Sequence, residues 1–259
     1  MKWPWSRGNS PQLHVATDEG EGPVVVLMHG IASSSITFRE LVPRLVDSHR
    51  VIALDILGFG ESVAPDDATF TIEEHAAALH ATIRSLRLSA PFVLVGHSLG
   101  SLIASRYSAD HPELVAKLVL VSPPIYLPQK SWGTQRDKAA MGAYLKAYEY
   151  LRANKTFTMR AAEALDRLSP IRNVLQVSEA NWNAFSLSLQ NAIESQTTVA
   201  DIARVRVPVE IVYGTLDPFL MPGGIQIVAQ MRHVTVHKVD ANDHLLRKRL
   251  AKAVAKVVG

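Results

Sequence analysis

The chain has 259 residues, 47% hydrophobic and 20% charged, with 14 Gly and 14 Pro. That composition fits one large domain with a full core and excludes a disordered chain, a collagen-like repeat and a disulfide-stapled mini-protein. Lys and Arg exceed Asp and Glu by 27 to 24, too slight a balance for a nucleic-acid-binding surface, and the absence of cysteine excludes disulfides, thiolate catalysis and Cys-ligated metals.

At the amino end, Met1 through Arg7 lack the apolar stretch of a signal peptide, so a cytoplasmic protein is the expectation. No run anywhere approaches the ~18 apolar residues of a membrane-spanning helix. Trp3 and Trp5 are expected to pack this arm onto the domain, with a membrane-surface anchor as the alternative. Short apolar runs predict strands at Leu13–Ala16, Val24–Met28, Val51–Leu54, Phe92–Val95, Leu118–Val121, Val209–Tyr213 and Val234–Val239. Between them, helical patterns occupy Phe38–Val46, Ile72–Leu86, Ser98–His111, Ile225–Met231 and Leu245–Val257. Most interior strands are continuously apolar, the pattern of parallel strands buried on both faces. Alternating β and α elements predict a mostly parallel sheet flanked by helices.

The alternation breaks once. From Pro123 to about Ala200 no strand is legible, while Met141, Tyr144, Leu145, Tyr148 and Leu151 share one helical face, and Trp182, Phe185 and Leu189 repeat the spacing. The chain therefore divides into a core of residues 1–122 and 201–259 and an inserted helical cap of residues 123–200. The cap is rich in large apolar side chains, among them Trp132, Met141, Tyr144, Tyr148, Phe157, Met159, Trp182 and Phe185. Trp182 and Phe185, near the point where the cap returns to the sheet, are the candidate substrate-binding residues. The basic last helix, Arg247 through Lys256, reads as a solvated outer face.

The strongest local signal is Phe92-Val93-Leu94-Val95-Gly96-His97-Ser98-Leu99-Gly100. Gly-x-Ser-x-Gly alone is weak, but here it follows an apolar strand and opens a helix, the setting of a nucleophile elbow. Glycine on both sides lets backbone pass close to a strained turn. A serine hydroxyl needs an adjacent base. His97 is expected to point away from the Ser98 side; His14, His49, His75, His80 and His111 fall far from the sheet's carboxyl edge or in solvent; His233 and His237 are expected to be exposed. His244, in the loop after the last strand, remains. Its carboxylate partner is Asp217, in the loop after the preceding strand, with Asp240 and Asp243 as rivals. The backbone N–H groups of Ile31 and Leu99 are the candidate oxyanion donors, and His29 is expected to brace the oxyanion loop.

The order Ser98, Asp217, His244, together with His29-Gly30, Asp55, the Gly58–Ser62 loop and Gly214-Thr215-Leu216-Asp217, resembles the α/β-hydrolase fold in its capped, single-domain form. That family spans esterases, C–C bond hydrolases and cofactor-free perhydrolases. The resemblance implies a mostly parallel central sheet with an inserted cap. It also implies a small-molecule, ester-like substrate, with no nucleic acid as partner and no cofactor. Serine at the nucleophile position speaks against the aspartate-dependent dehalogenase and epoxide-hydrolase chemistries. Ile31-Ala32 and Leu245 depart from the oxyanion loop and post-histidine Trp usual in C–C hydrolases. No metal or nucleotide motif is present. The leading expectation is a serine carboxylesterase acting on a small to medium apolar ester; the alternatives are a C–C hydrolase of a ring-cleavage dienoate and a non-catalytic ligand-binding protein.

Overall fold

In the computed structural model, residues 10–127, 135–169 and 174–259 are described, which leaves Trp3, Trp5 and Trp132 outside the described residues. Seven strands form one sheet: β1 (Val15–Glu19), β2 (Val24–Met28), β3 (Arg50–Leu54), β4 (Phe92–His97), β5 (Val115–Val121), β6 (Val209–Gly214) and β7 (Val234–Val239). Their order is β1-β3-β2-β4-β5-β6-β7. Only β1 runs antiparallel, against β3; the other five pairings are parallel. All parallel strands thus end at one edge, and β4 sits in the middle of the sheet.

Eight α-helices complete the described fold: α1 (Ile72–Leu86), α2 (Leu99–Asp110), α3 (Gln135–Ala153), α4 (Lys155–Leu168), α5 (Trp182–Ser188), α6 (Thr198–Arg204), α7 (Pro222–Val228) and α8 (Lys248–Val258). Local chemistry sets their ends. Thr71 caps α1 by accepting the Glu74 N–H, two glutamates occupy its first turn, and Arg87 ends it in the left-handed conformation. In α8 the apolar positions Leu250, Ala251, Val254 and Val258 face the core, while Lys248, Lys252 and Lys256 remain exposed.

Alternation along the strands builds two cores. Val26, Met28, Leu94, Leu118 and Leu120 pack on one face with α1 and α2 residues such as Leu79, Leu102 and Ile103. On the other face Val25, Leu27, Val95, Val119 and Val121 pack with Leu250 and Val254 of α8. Continuous apolar strands are therefore explained by burial on both sides.

One predicted helix is absent. Phe38–Val46 forms two short 3₁₀ turns instead, Ser35–Phe38 and Val42–Arg44. Pro43 has no N–H to donate and its ring obstructs a preceding helical turn, so an α-helix cannot run through it. Between β5 and β6 the described residues carry helices α3 to α6 and no strand. The end of α5 passes into a π-helical segment, Leu189–Glu194.

Candidate active site

Ser98 occupies the junction of β4 and α2 with φ 53° and ψ −121°, a backbone conformation that costs a non-glycine residue free energy. The neighbouring glycines make the turn possible. A Cβ on Gly96 would lie 2.3 Å from the Gly100 carbonyl oxygen, and one on Gly100 would lie 2.2 Å from that of Met28. Any side chain at either position would force β2, β4 and α2 apart. Ser98 is held further by its N–H on the Val121 carbonyl at 3.0 Å, and its own carbonyl accepts from the Ser101 hydroxyl.

Asp217 follows β6 and His244 follows β7, and the two loops are stitched together. Thr215 N–H donates to the Val239 carbonyl, Leu216 N–H to that of Asn242, and Ala241 N–H to the Thr215 hydroxyl. This brings Asp217 Oδ2 to 2.8 Å from His244 Nδ1. Burial alone would raise the Asp217 carboxyl; the hydrogen bond and charge of His244, with the Phe219 N–H, outweigh it and hold the group below its ordinary value. An ionised acceptor at Nδ1 makes that nitrogen the protonated one in neutral His244 and frees Nε2 to act as a base. The rival Asp243 is otherwise engaged, accepting from Leu245 N–H and pairing with Arg247.

Ser98 and His244 face a common cavity of about 410 Å³, without a direct hydrogen bond between them. Such bonds often close only when substrate is bound. Gly30, Ile31 and Ala32 form another part of the cavity wall, so the loop after β2 and Ser98 line one cavity. Leu99 opens α2, and a helix's first N–H groups have no partner within the helix. His29 braces this loop. Its Nε2 accepts the Ile56 N–H at 2.9 Å, so Nδ1 carries the hydrogen and donates to the Gly30 carbonyl at 2.7 Å. Burial pulls its pKa down to about 4, which keeps it neutral.

Most of the remaining wall comes from the helical insertion: Tyr148 and Leu151 of α3, Thr158, Ala161, Ala162 and Leu165 of α4, Phe185 of α5, Leu189 and Ile193 of the π-helical segment, and Val174, Leu175 and Val177; Pro218, Phe219 and Leu245 add to it from the loops after β6 and β7. The Gln176 N–H donates to the Ala32 carbonyl at 2.6 Å and ties that last stretch to the loop after β2. Of the two aromatics singled out in the sequence, Phe185 lines the cavity and Trp182 does not. Trp182 packs behind Phe185, ring centroids 5.7 Å apart, with Lys155 Nζ 5.6 Å from its centroid. Only Phe185 faces inward.

Two histidine expectations need correcting. His97 does not point away: it lines the cavity and packs on His244. His233 and His237 are partly buried rather than exposed, bound to the Ile202 carbonyl and to Glu210. The α4 wall was missed, although Thr158, Ala161, Ala162 and Leu165 fall at i, i+3, i+4 and i+7. Three of the four, Thr158, Ala161 and Ala162, are small, which hides the stripe from a search for large apolar residues.

The family model for the alpha/beta hydrolase fold matches residues 23–246. The chain belongs to the alpha/beta hydrolase fold family. Within this alpha/beta hydrolase fold, it is 37% identical over 141 residues to the probable lysophospholipase BODYGUARD 1 of Arabidopsis thaliana, covering 51% of this chain and 30% of that protein. It is 39% identical over 142 residues to a probable esterase of Oryza sativa subsp. japonica, covering 50% of this chain and 52% of that one. The matches thus span from about a third to about half of these relatives' length. Among solved structures, an alpha/beta hydrolase fold protein from Burkholderia ambifaria superposes with a TM-score of 0.73 at 21% identity, over 96% of this chain and 99% of that one. Among the described residues, no helix is long and apolar enough to cross a membrane.

Proposed function

We propose that this alpha/beta hydrolase is a serine hydrolase that cleaves a small to medium, mainly apolar carboxylic ester through an acyl-enzyme. The carrying observation is the 2.8 Å contact between Asp217 and His244 Nδ1, with His244 lining an apolar cavity that Ser98 shares. In this reading Ser98 Oγ attacks the acyl carbon while His244 Nε2 takes its proton. The tetrahedral oxyanion lies on the Ile31 and Leu99 N–H groups, a type of contact in which each donor is worth ~3–4 kcal/mol in the transition state. His244 then protonates the departing alkoxide. Water, deprotonated by the same nitrogen, attacks the acyl-serine and releases the acid. Asp217 stays ionised throughout and supports the imidazolium.

Residues 123–200 act as the cap, and the acyl chain lies among Leu151, Ala162, Leu165 and Phe185. Among the described residues no Lys or Arg lines the cavity, so none of them offers a cation to the carboxylate of a ring-cleavage dienoate, which favours the ester over the C–C substrate. The similarity to a probable esterase and a probable lysophospholipase supports acyl-ester chemistry as well. The test is a series of p-nitrophenyl esters of graded acyl length beside a ring-cleavage dienoate. Turnover of the esters with a chain-length optimum is the expected result; turnover of the dienoate alone would reverse the choice.

A further inference from the structure

His97 ends β4 and directly precedes Ser98. Its imidazole is buried and reaches two features of the site at once. Nε2 lies 2.9 Å from the main-chain oxygen of His244. A carbonyl only accepts, so Nε2 carries the hydrogen and donates, which leaves Nδ1 as a bare acceptor. That Nδ1 is buried and has no hydrogen-bond partner among the described residues. A methyl group placed on Gly30 would sit 3.4 Å from His97 Nδ1 and 3.3 Å from Ser98 Oγ, so both side chains flank Gly30 of the loop after β2. The His97 and His244 rings lie 5.0 Å apart at 48°, and Phe219 meets His244 edge-on with its centroid at 4.8 Å.

Burial, and then the charge of His244, pull the His97 pKa down to about 3. It therefore presents a neutral ring when His244 becomes an imidazolium. An unpaired buried acceptor destabilises a fold, and an apolar ring of similar size would fill the same space without that penalty. What an apolar ring lacks is a hydrogen to give the His244 carbonyl.

We infer that His97 is a positioning residue for the base: its Nε2–H holds the main chain of His244 while its ring backs the His244 imidazole, so that Nε2 of His244 addresses Ser98 with Nδ1 still on Asp217. The inference rests on the reading of His244 as the base of a serine hydrolase. It concerns a residue that acts through His244 and takes no part in the proton transfer itself.

Two substitutions separate this role from plain packing. His97→Phe keeps the ring and loses the donor; His97→Gln restores a nitrogen donor at the reach of Nε2. With p-nitrophenyl butyrate, His97→Phe is expected to lower kcat ~10- to 100-fold, the scale of a small misplacement of a reacting group, with KM nearly unchanged and Tm equal or higher. The rate of fluorophosphonate labelling of Ser98 should fall in parallel. His97→Gln should recover most of both rates. Full kcat in His97→Phe, equal impairment in both variants, or a loss of Tm that tracks the loss of rate would each overturn the inference. His244→Ala serves as the control: if it is inactive while His97→Phe is fully active, only the positioning role is lost. If His244→Ala itself turns over and labels normally, the base assignment falls, and the role of His97 with it.

Discussion

Ser98 holds a positive-φ backbone that the surrounding glycines and the Val121 carbonyl impose, and nothing in packing alone requires a serine there. A residue kept in such a conformation in a cavity wall is a candidate for function rather than for stability. Ser98→Ala and His244→Ala should each reduce kcat by ~1000-fold or more, and the double variant should be little worse than either, because members of one catalytic unit are not additive. Steady-state kinetics on a single ester checks this. Asp217→Asn should fold with a near-normal Tm yet lose ~1000- to 10,000-fold in rate, since an amide at this place favours the wrong histidine tautomer. Asp243→Asn should remain near parental activity, because its carboxylate serves Arg247 and the Leu245 N–H instead. The reverse pattern would move the acid role to Asp243. Sequence makes the meeting of Ser98, Asp217 and His244 legible, because each follows a strand and all parallel strands end at one edge. The contact of His97 with His244 was not legible. It joins residues 147 positions apart, and no spacing rule encodes the closing of the β7 loop onto β4.

At the scale of elements, the helices between β5 and β6 decide the shape of the cavity. Small residues on α4 open the space, and Phe185, Leu189 and Ile193 close it from the other side. Ala161→Leu should depress kcat/KM for the longest acyl esters while short esters are unaffected, and Phe185→Ala should shift the preference toward longer ones. Methylene-scale discrimination in an apolar pocket confines either shift to roughly 10- to 200-fold. Trp182→Ala, one layer behind, should change the chain-length profile far less than Phe185→Ala. Competition assays with paired esters measure all three, and equal shifts for Trp182→Ala and Phe185→Ala would mean that the cavity wall is assigned wrongly. The strands and long helices are legible from apolar runs and periodicity because burial on one or two faces writes itself into side-chain type. The failure at Phe38–Val46 has a local cause, Pro43, and was open to the same reading. The wall formed by Val174, Leu175 and Val177 has no period to detect, since it belongs to neither helix nor strand.

For the whole molecule, the buried histidines His29, His75 and His97 contribute to the response to acid. Burial lowers His29 to about 4 and His75 and His97 to about 3, all from an ordinary value of 6.5. Between about pH 4 and 6.5 the unfolded chain therefore binds protons that the folded chain excludes, so stability is full above that window and falls as pH drops through it. Each such histidine contributes a slope of ~1.4 kcal/mol per pH unit within the window. Urea titrations at several pH values should show this loss. His75→Phe should flatten the slope by about one proton; an unchanged slope would mean that His75 is protonated in the fold. The central proposal is that this member of the alpha/beta hydrolase fold family works through an activated Ser98. Its most direct test is reaction of the native protein with a fluorophosphonate probe, followed by peptide mapping. Labelling at Ser98 that disappears on prior unfolding and drops sharply in His244→Ala is the predicted result. A native, folded protein that leaves Ser98 unlabelled, or labels equally well without His244, would contradict it.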